Sequence, residues 1–306
     1  MTTTVAHFSD IHITDAPADI PWSRLVGKRA AGWVNLKFRG RYEKFAEAAE
    51  ITRAFLRDLE DVRPDHVLFT GDVTGMSLPN EFRRATDCLA SHLDEGAVIG
   101  IPGNHDVYTR GAARSGRYAE HFENWGPSTP TEGPRVVPLG PNADAILLVD
   151  SKPNHILDSS GRLGDAQLDR LEKLLASDEW NSRARIIALH YGPLRSDGTP
   201  DTYLHGLRDG PRFLEIVDRA GVELIVHGHL HKRFVLDRGS ENPTVCTPGS
   251  LTHRSYDRAY HLYDIASDGS IRLRIRRFDA DSQCFREDSG DALIVAGTQR
   301  ASEQDT

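Results

Sequence analysis

Short apolar runs punctuate the first three-quarters of the chain, and between them apolar residues recur three and four apart. "VAHF" (5–8), "HVLFT" (66–70), "AVIGI" (97–101), "AILLV" (145–149), "RIIAL" (185–189) and "ELIV" (223–226) have the length of buried strands. Phe45, Ala48, Ala49, Phe55 and Leu59 mark one helical face, and Phe82, Ala85, Leu89 and Leu93 mark another. "GDAQLDRLEKLLAS" (164–177) and a segment near 212–220 read as further helices. The last quarter changes character: "RFVLD" (233–237), "TVCT" (244–247), "YHLYDI" (260–265) and "IRLRIRRF" (271–278) are strands without helices between them. Alternating strands and helices followed by strands alone predict a layered α/β sandwich in one domain, its sheets covered by helices. The domain is expected over 1–286, and 287–306 reads as a polar tail apart from "ALIVA", its last residues disordered. There is no internal repeat.

The ends of the predicted strands share a chemistry. After 5–8 come Asp10 and His12, and after 66–70 comes Gly71-Asp72. After 97–101 comes Gly103-Asn104-His105-Asp106; after 185–189 comes His190; after 223–226 comes His227-Gly228-His229-Leu230-His231. Each turn alone has an ordinary reading: Gly-Asp is a common turn pair, and a lone His at a strand end is usually a hydrogen-bonded structural residue. Alternate His residues on an extended segment face one way. In open α/β sheets the carboxyl ends of the strands converge on one crevice, so five loops would deliver these side chains to one place. Carboxylate, amide oxygen and imidazole suit borderline ions such as Mn, Fe or Zn, and no Cys belongs to the set.

The ordered set Asp10-x-His12, Gly71-Asp72, Gly103-Asn104-His105-Asp106, His190 and Gly228-His229-x-His231 resembles the calcineurin-like metallophosphoesterase superfamily, over roughly 5–231. "LVDS", "GRLGDAQLDRLEKLL" and "LHYGP" look most like bacterial class III cyclic-nucleotide phosphodiesterases. The resemblance implies an α/β/β/α sandwich with two central mixed sheets flanked by helices, the site at the strand ends, and the later strands fitting the second sheet. It implies two metal ions, the first on Asp10, His12 and His231, the second on Asn104, His190 and His229, with Asp72 bridging both. Two ions about 3.5–4 Å apart clamp a phosphoryl group and lower the pKa of a bridging water, whose hydroxide attacks in line. His105 would stand over the leaving group, donating a proton or stabilising its charge. Gly103 would let the backbone turn tightly beside them. Many members carry an Asp shortly after Gly-Asp to orient the catalytic His. The run Gly71–Met76 has no second Asp, which leaves Asp106 as the candidate for that work. Lipid A pathway pyrophosphatases of the superfamily have Arg where this chain has His105, which argues against that activity.

The expected function is therefore a metal-dependent phosphodiesterase on nucleotide-like substrates such as 3',5'-cyclic nucleotides. The alternatives are a nuclease, a dinucleoside-polyphosphate or phospholipid-type phosphoesterase, and a non-catalytic scaffold on the same fold. A net charge of -8 across 306 residues argues against broad nucleic-acid binding. The 3 widely spaced Cys read as small buried residues of a reducing compartment. No signal peptide or membrane-length apolar run is evident, so the cytoplasm is the expected location.

Against that acidic background, 20–42 carries Arg24, Lys28, Arg29, Lys37, Arg39 and Arg41, no acidic residue, and Trp22, Trp33, Phe38 and Tyr42. It lies between the first two ligand motifs and reads as an insertion: a substrate lid, a homodimer contact, or a surface for nucleic acid or anionic lipid. Lys28, Arg29 and Trp33 are its best lid candidates. His205 and Arg208, in the loop before 212–220, are candidate phosphate contacts. His7 and His227 are expected to be packed, and His155, His253 and His261 have no supporting spacing. "GAARSGR" from Gly111 imitates a P-loop but continues with Tyr118 instead of Ser or Thr, and is rejected.

Overall fold

The computed structural model describes residues 2–89, 98–177, 184–288, 290 and 293–296. Leu93 and Ala97 of the predicted elements, and the end of the predicted tail, lie outside the described residues. In chain order, β1 (Thr3–Phe8) leads through a short 3-10 turn (Trp22–Arg24) to α1 (Lys28–Phe38), α2 (Arg41–Phe45) and α3 (Ala48–Val62). β2 (His66–Phe69), α4 (Pro79–Leu89), β3 (Val98–Gly100), α5 (Arg110–Arg114) and α6 (Arg117–Phe122) follow. The second half begins with β4 (Arg135–Gly140), β5 (Ala143–Leu147), α7 (Asp165–Leu175), β6 (Ala184–Ala188), α8 (Gly210–Arg219) and β7 (Leu224–Val226). It ends with β8 (Phe234–Leu236), β9 (Thr244–Thr247), β10 (Ala259–Ile265), β11 (Ile271–Asp279), β12 (Cys284–Glu287) and β13 (Leu293–Ala296).

These strands form two mixed sheets. One has 7 strands in the order β12-β11-β10-β1-β2-β3, with β13 also paired to β11; the other has 6 in the order β4-β5-β6-β7-β9-β8. β1, β2 and β3 are mutually parallel, as are β5, β6 and β7. The later strands divide against expectation. Only β8 and β9 complete the second sheet, whereas β10 returns to pair antiparallel with β1 and carries β11, β12 and β13 into the first. The apolar residues of "ALIVA" explain part of this: within the segment read as a tail, Val295 is buried between the sheets.

Three apolar layers give the α/β/β/α order. Phe8 and Phe69 pack with Phe55 of α3 and Phe82 of α4 on one outer side. Val5, Leu68, Leu147, Ile186 and Tyr263 fill the space between the sheets. Ile146, Ile187 and Ile225 pack with Leu168 and Leu171 of α7 and Phe213 of α8 on the other side. Alternation along β5 and β6 sends successive apolar residues to opposite layers, which is why these strands read as unbroken apolar runs. The single helix expected around Phe45–Leu59 is split, with Phe45 ending α2 and Ala48 opening α3. Insertion residues Ile20 and Leu36 form a small separate cluster with Met76, Leu78 and Tyr108. No helix among the described residues is long and apolar enough to cross a membrane.

Candidate metal centre

The loops after β1, β2, β3, β6 and β7 open at one edge of the two sheets, and all seven expected ligands meet there. Asp10, His12, Asp72, His229 and His231 have left-handed backbones, with φ between 47° and 68°. A non-glycine residue held this way costs about 1–3 kcal/mol, a strain that clusters at functional sites. Backbone bonds from Asp10 N to Gly71 O (2.9 Å) and from His12 N to Asp72 O (3.0 Å) lock the first two loops together. Glycine is required at 103 for proximity and not for a left-handed turn: an added Cβ would fall on the Asp72 carboxylate and backbone nitrogen.

Ligand atoms of Asp10, His12, Asp72 and His231 all lie within 4.8 Å of one another. His12 Nε2 faces His231 Nε2 at 3.0 Å, and His231 Nε2 is 3.2 Å from Asp10 Oδ1. Beside them, Asn104 Oδ1 is 3.1 Å from both His190 Nε2 and His229 Nδ1. Asp72 Oδ2 stands between the groups, 3.6 Å from His12 Nε2 and 3.5 Å from His190 Nε2.

The ring orientations suit cation binding. His12 Nδ1 donates to Thr74 O (3.2 Å) and His190 Nδ1 to Thr70 O (2.7 Å), which leaves each Nε2 lone pair directed inward. His229 is reversed: Nε2 donates to the His205 carbonyl (3.1 Å), so Nδ1 points to the cluster. Burial keeps His12 neutral by lowering its pKa to about 3, and it lowers that of His229 as well. Burial pushes Asp72 well above the usual carboxylate range, aided by the charges of Asp10 and Asp106. Burial pushes Asp10 up too, but the neighbouring His12 and His231 rings, with Nε2 atoms 3.7 and 3.2 Å from Oδ1, outweigh it and hold that carboxyl well below its usual range. Asp10 Oδ1 is buried without a hydrogen-bond partner. Converging lone pairs and crowded carboxylates are the environment a multivalent cation relieves, so these residues fit metal ions.

Buried carboxylates brace the loops. Asp106 accepts from the backbone N–H groups of Asp72 (2.9 Å), Val73 (3.2 Å), Thr74 (2.9 Å) and Gly103 (2.9 Å). It therefore does not orient His105, as its neighbouring position in sequence had suggested. The Gly75 carbonyl does so, accepting from His105 Nδ1 at 2.5 Å. Asp150, in "LVDS", accepts from the N–H groups of His190 (3.3 Å) and Tyr191 (2.7 Å) and braces the second sheet's loop in the same way.

His105 is next to the cluster, its ring centre 4.8 Å from that of His12 and stacked on Tyr108 at 5.2 Å. Its Nε2 is 3.0 Å from Arg41 Nη2, a contact no local motif signals because 64 residues separate the two. His205 lies against the candidate centre: its ring packs on that of His229 at 4.3 Å and bonds Asp201 at 2.5 Å, and its carbonyl accepts from His229. Arg208 is committed to Asp158 (3.0 Å) and lies over the Tyr203 ring. Neither side chain contacts a ligand residue through a polar atom among the described residues. Of the lid candidates, Lys28 alone leans toward the cleft, over Tyr108; burial lowers its pKa to about 8, against the opposing charges of Asp72 and Asp158. Arg29 donates to the Met76 and Ser77 carbonyls and Trp33 Nε1 to Pro17 O, so both are anchors. His7 is buried on Thr70 and Tyr263, and His227 is buried with Nδ1 on Gly228 O.

The sequence model of a family described as calcineurin-like phosphoesterase matches residues 3–233. A Synechococcus protein named "probable cyclic nucleotide phosphodiesterase" is 28% identical over 93% of this chain and 96% of its own length. A Rhodococcus erythropolis protein with the same name is 31% identical over 55% of this chain and 52% of its own. Among solved structures, a dimetal phosphatase from Danio rerio superposes with a TM-score of 0.64 at 14% identity, covering 96% of this chain and 98% of that one.

Proposed function

Because the chain belongs to the calcineurin-like phosphoesterase family, we propose that it is a two-metal phosphodiesterase acting on small nucleotide-like substrates, 3',5'-cyclic nucleotides among them. The observation that carries this reading is Asp72 Oδ2, set between His12 Nε2 at 3.6 Å and His190 Nε2 at 3.5 Å. Asp10, His12 and His231 would hold one ion, Asn104, His190 and His229 the other, with Asp72 shared. Oxygen and nitrogen donors without sulfur suit Mn, Fe or Zn. When bound, the ions supply Lewis-acid charge to the phosphoryl oxygens and lower the pKa of a coordinated water.

The protein's part is positioning. The Thr74 and Thr70 carbonyls fix the tautomers of His12 and His190, and the carboxylates of Asp106 and Asp150 hold the loops. His105 is not in the ligand set and is assigned the leaving-group side of the substrate, with Nε2 toward the cleft. The insertion walls that side and serves as a lid through Lys28. The preference for cyclic nucleotides is carried over from the names of the relatives, and a cytoplasmic small-molecule role fits the net charge of -8.

The test is turnover by Mn-loaded and chelator-treated protein across phosphomonoesters, linear diesters, cyclic nucleotides, dinucleoside polyphosphates and DNA. Metal-dependent hydrolysis of linear diesters and cyclic nucleotides is expected. Activity confined to monoesters or to DNA would overturn the substrate class. No turnover with Mn, Fe or Zn would overturn catalysis in favour of a scaffold.

A further inference from the structure

Arg41 opens α2 at the end of the insertion and turns its guanidinium into the cleft. Its Nη2 is 3.0 Å from His105 Nε2, and the guanidinium carbon lies 5.6 Å from the centre of the Phe45 ring, which in turn packs on His12. A carbonyl can only accept, so the bond from His105 Nδ1 to Gly75 O assigns the ring proton to Nδ1. Nε2 is then a lone pair, and Arg41 is the donor that meets it. His105 thus has no proton on the nitrogen facing the cleft, and the cation beside the ligand cluster is the arginine.

Two further facts separate Arg41 from Arg208. Arg208 is paired with Asp158, whereas Arg41 makes no ion pair with a carboxylate among the described residues, its contacts being His105 and the Phe45 ring. The acidic groups whose charges reach it include Asp72 and Asp10, both members of the ligand set. Once those carboxylates are committed to cations, a partly buried guanidinium is left facing the cleft with three N–H donors on its two terminal nitrogens beyond the one given to His105. A phosphoryl oxygen is the chemistry that matches it, because guanidinium binds phosphate in a planar, two-point geometry.

We propose that Arg41 is a substrate-contacting residue that takes a non-bridging oxygen of the phosphoryl group, with His105 as the positioning residue that holds the guanidinium at the cleft. This rests on the phosphoesterase reading. The insertion then supplies part of the site itself, and α2 is where the lid meets the chemistry.

The experiment compares Arg41→Gln, Arg41→Lys and Arg39→Gln in Mn-loaded protein. Arg39 is an exposed cation two residues away that makes the same change in net charge. The readouts are bound metal, binding of inorganic phosphate by calorimetry, and kcat/KM on a linear diester. Arg41→Gln is expected to keep its metal, to bind phosphate roughly 10- to 100-fold more weakly, and to lose kcat/KM by a similar factor. Arg41→Lys should recover part of both losses, and Arg39→Gln should match the parent. Unchanged phosphate affinity in Arg41→Gln would overturn the proposal, as would an equal loss in Arg39→Gln, which would mark a general field effect. If the parent hydrolyses no phosphoester yet Arg41→Gln still loses phosphate binding, the enzyme reading fails and Arg41 stands as an anion-binding residue.

Discussion

The ligand loops and the basic insertion border the same cleft and are held by opposite means. In the ligand loops, buried carboxylates accept from backbone N–H groups: Asp106 from four of them, Asp150 from two. In the insertion, side-chain donors reach out to backbone carbonyls, Arg29 to Met76 and Ser77 and Trp33 to Pro17. A buried N–H that loses its one acceptor bears the full cost of desolvation, whereas a carbonyl, with two lone pairs, tolerates the loss of one donor better. The loops therefore have little tolerance for change, which suits residues that must hold left-handed backbones. The insertion is attached more loosely, which suits the lid proposed for it. Glu81 of α4 sits at the seam: it accepts from Met76 N (2.8 Å) and Leu78 N (3.0 Å), the same stretch whose carbonyls Arg29 grips.

The sharpest way to break this contrast is Asp106→Ala. It leaves the N–H groups of Asp72, Val73, Thr74 and Gly103 buried without their acceptor. At about 1–3 kcal/mol for each unsatisfied group, the expected loss exceeds about 3 kcal/mol, with metal binding lost alongside. Denaturant unfolding and elemental analysis check both, and a loss below about 1 kcal/mol with full metal content would show that the brace is unimportant.

A smaller effect tests the seam through pH. Burial raises the Glu81 carboxyl from its ordinary 4.5 to about 7. The folded protein therefore holds this proton more tightly than the unfolded chain does. The stability that follows is fully present below about pH 4.5 and is lost as pH rises through about 7. Glu81→Gln cannot titrate, so its stability relative to the parent should rise between pH 5 and 7.5 by roughly 2–3 kcal/mol. Denaturation midpoints at the two pH values measure this, and a pH-independent difference would contradict the assigned shift. The smallest effect belongs to the insertion. Trp33→Phe removes one N–H donor from a partly exposed site and should cost about 1 kcal/mol or less, with bound metal unchanged. A loss as large as that of Asp106→Ala would erase the contrast.

The two regions also differed in how far the sequence disclosed them. The candidate ligands were legible because each follows a short apolar run, so chain order alone delivers them to one sheet edge. The brace was not: Asp106 stands next to His105 in sequence, yet its carboxylate turns back to N–H groups more than thirty residues away. Arg41 was visible as one cation among six in the insertion, but its pairing with His105 depends on how α2 docks. β4 escaped notice because Pro138 interrupts its run, a residue tolerated there only because β4 lies at a sheet edge. The return of β10 to β1 is a choice between two apolar sheets, and short strands of similar composition do not encode which one they join.

The most direct test of the two-ion account is a titration of metal-free protein with Mn, following bound ions by elemental analysis and turnover of a chromogenic linear diester together. Turnover should rise only as the second equivalent binds and should reach its plateau at two ions per chain, and Asp72→Ala should reach neither the plateau nor the stoichiometry. Full turnover at one ion per chain, or Asp72→Ala retaining two ions with the parent's rate, would contradict the shared-carboxylate centre.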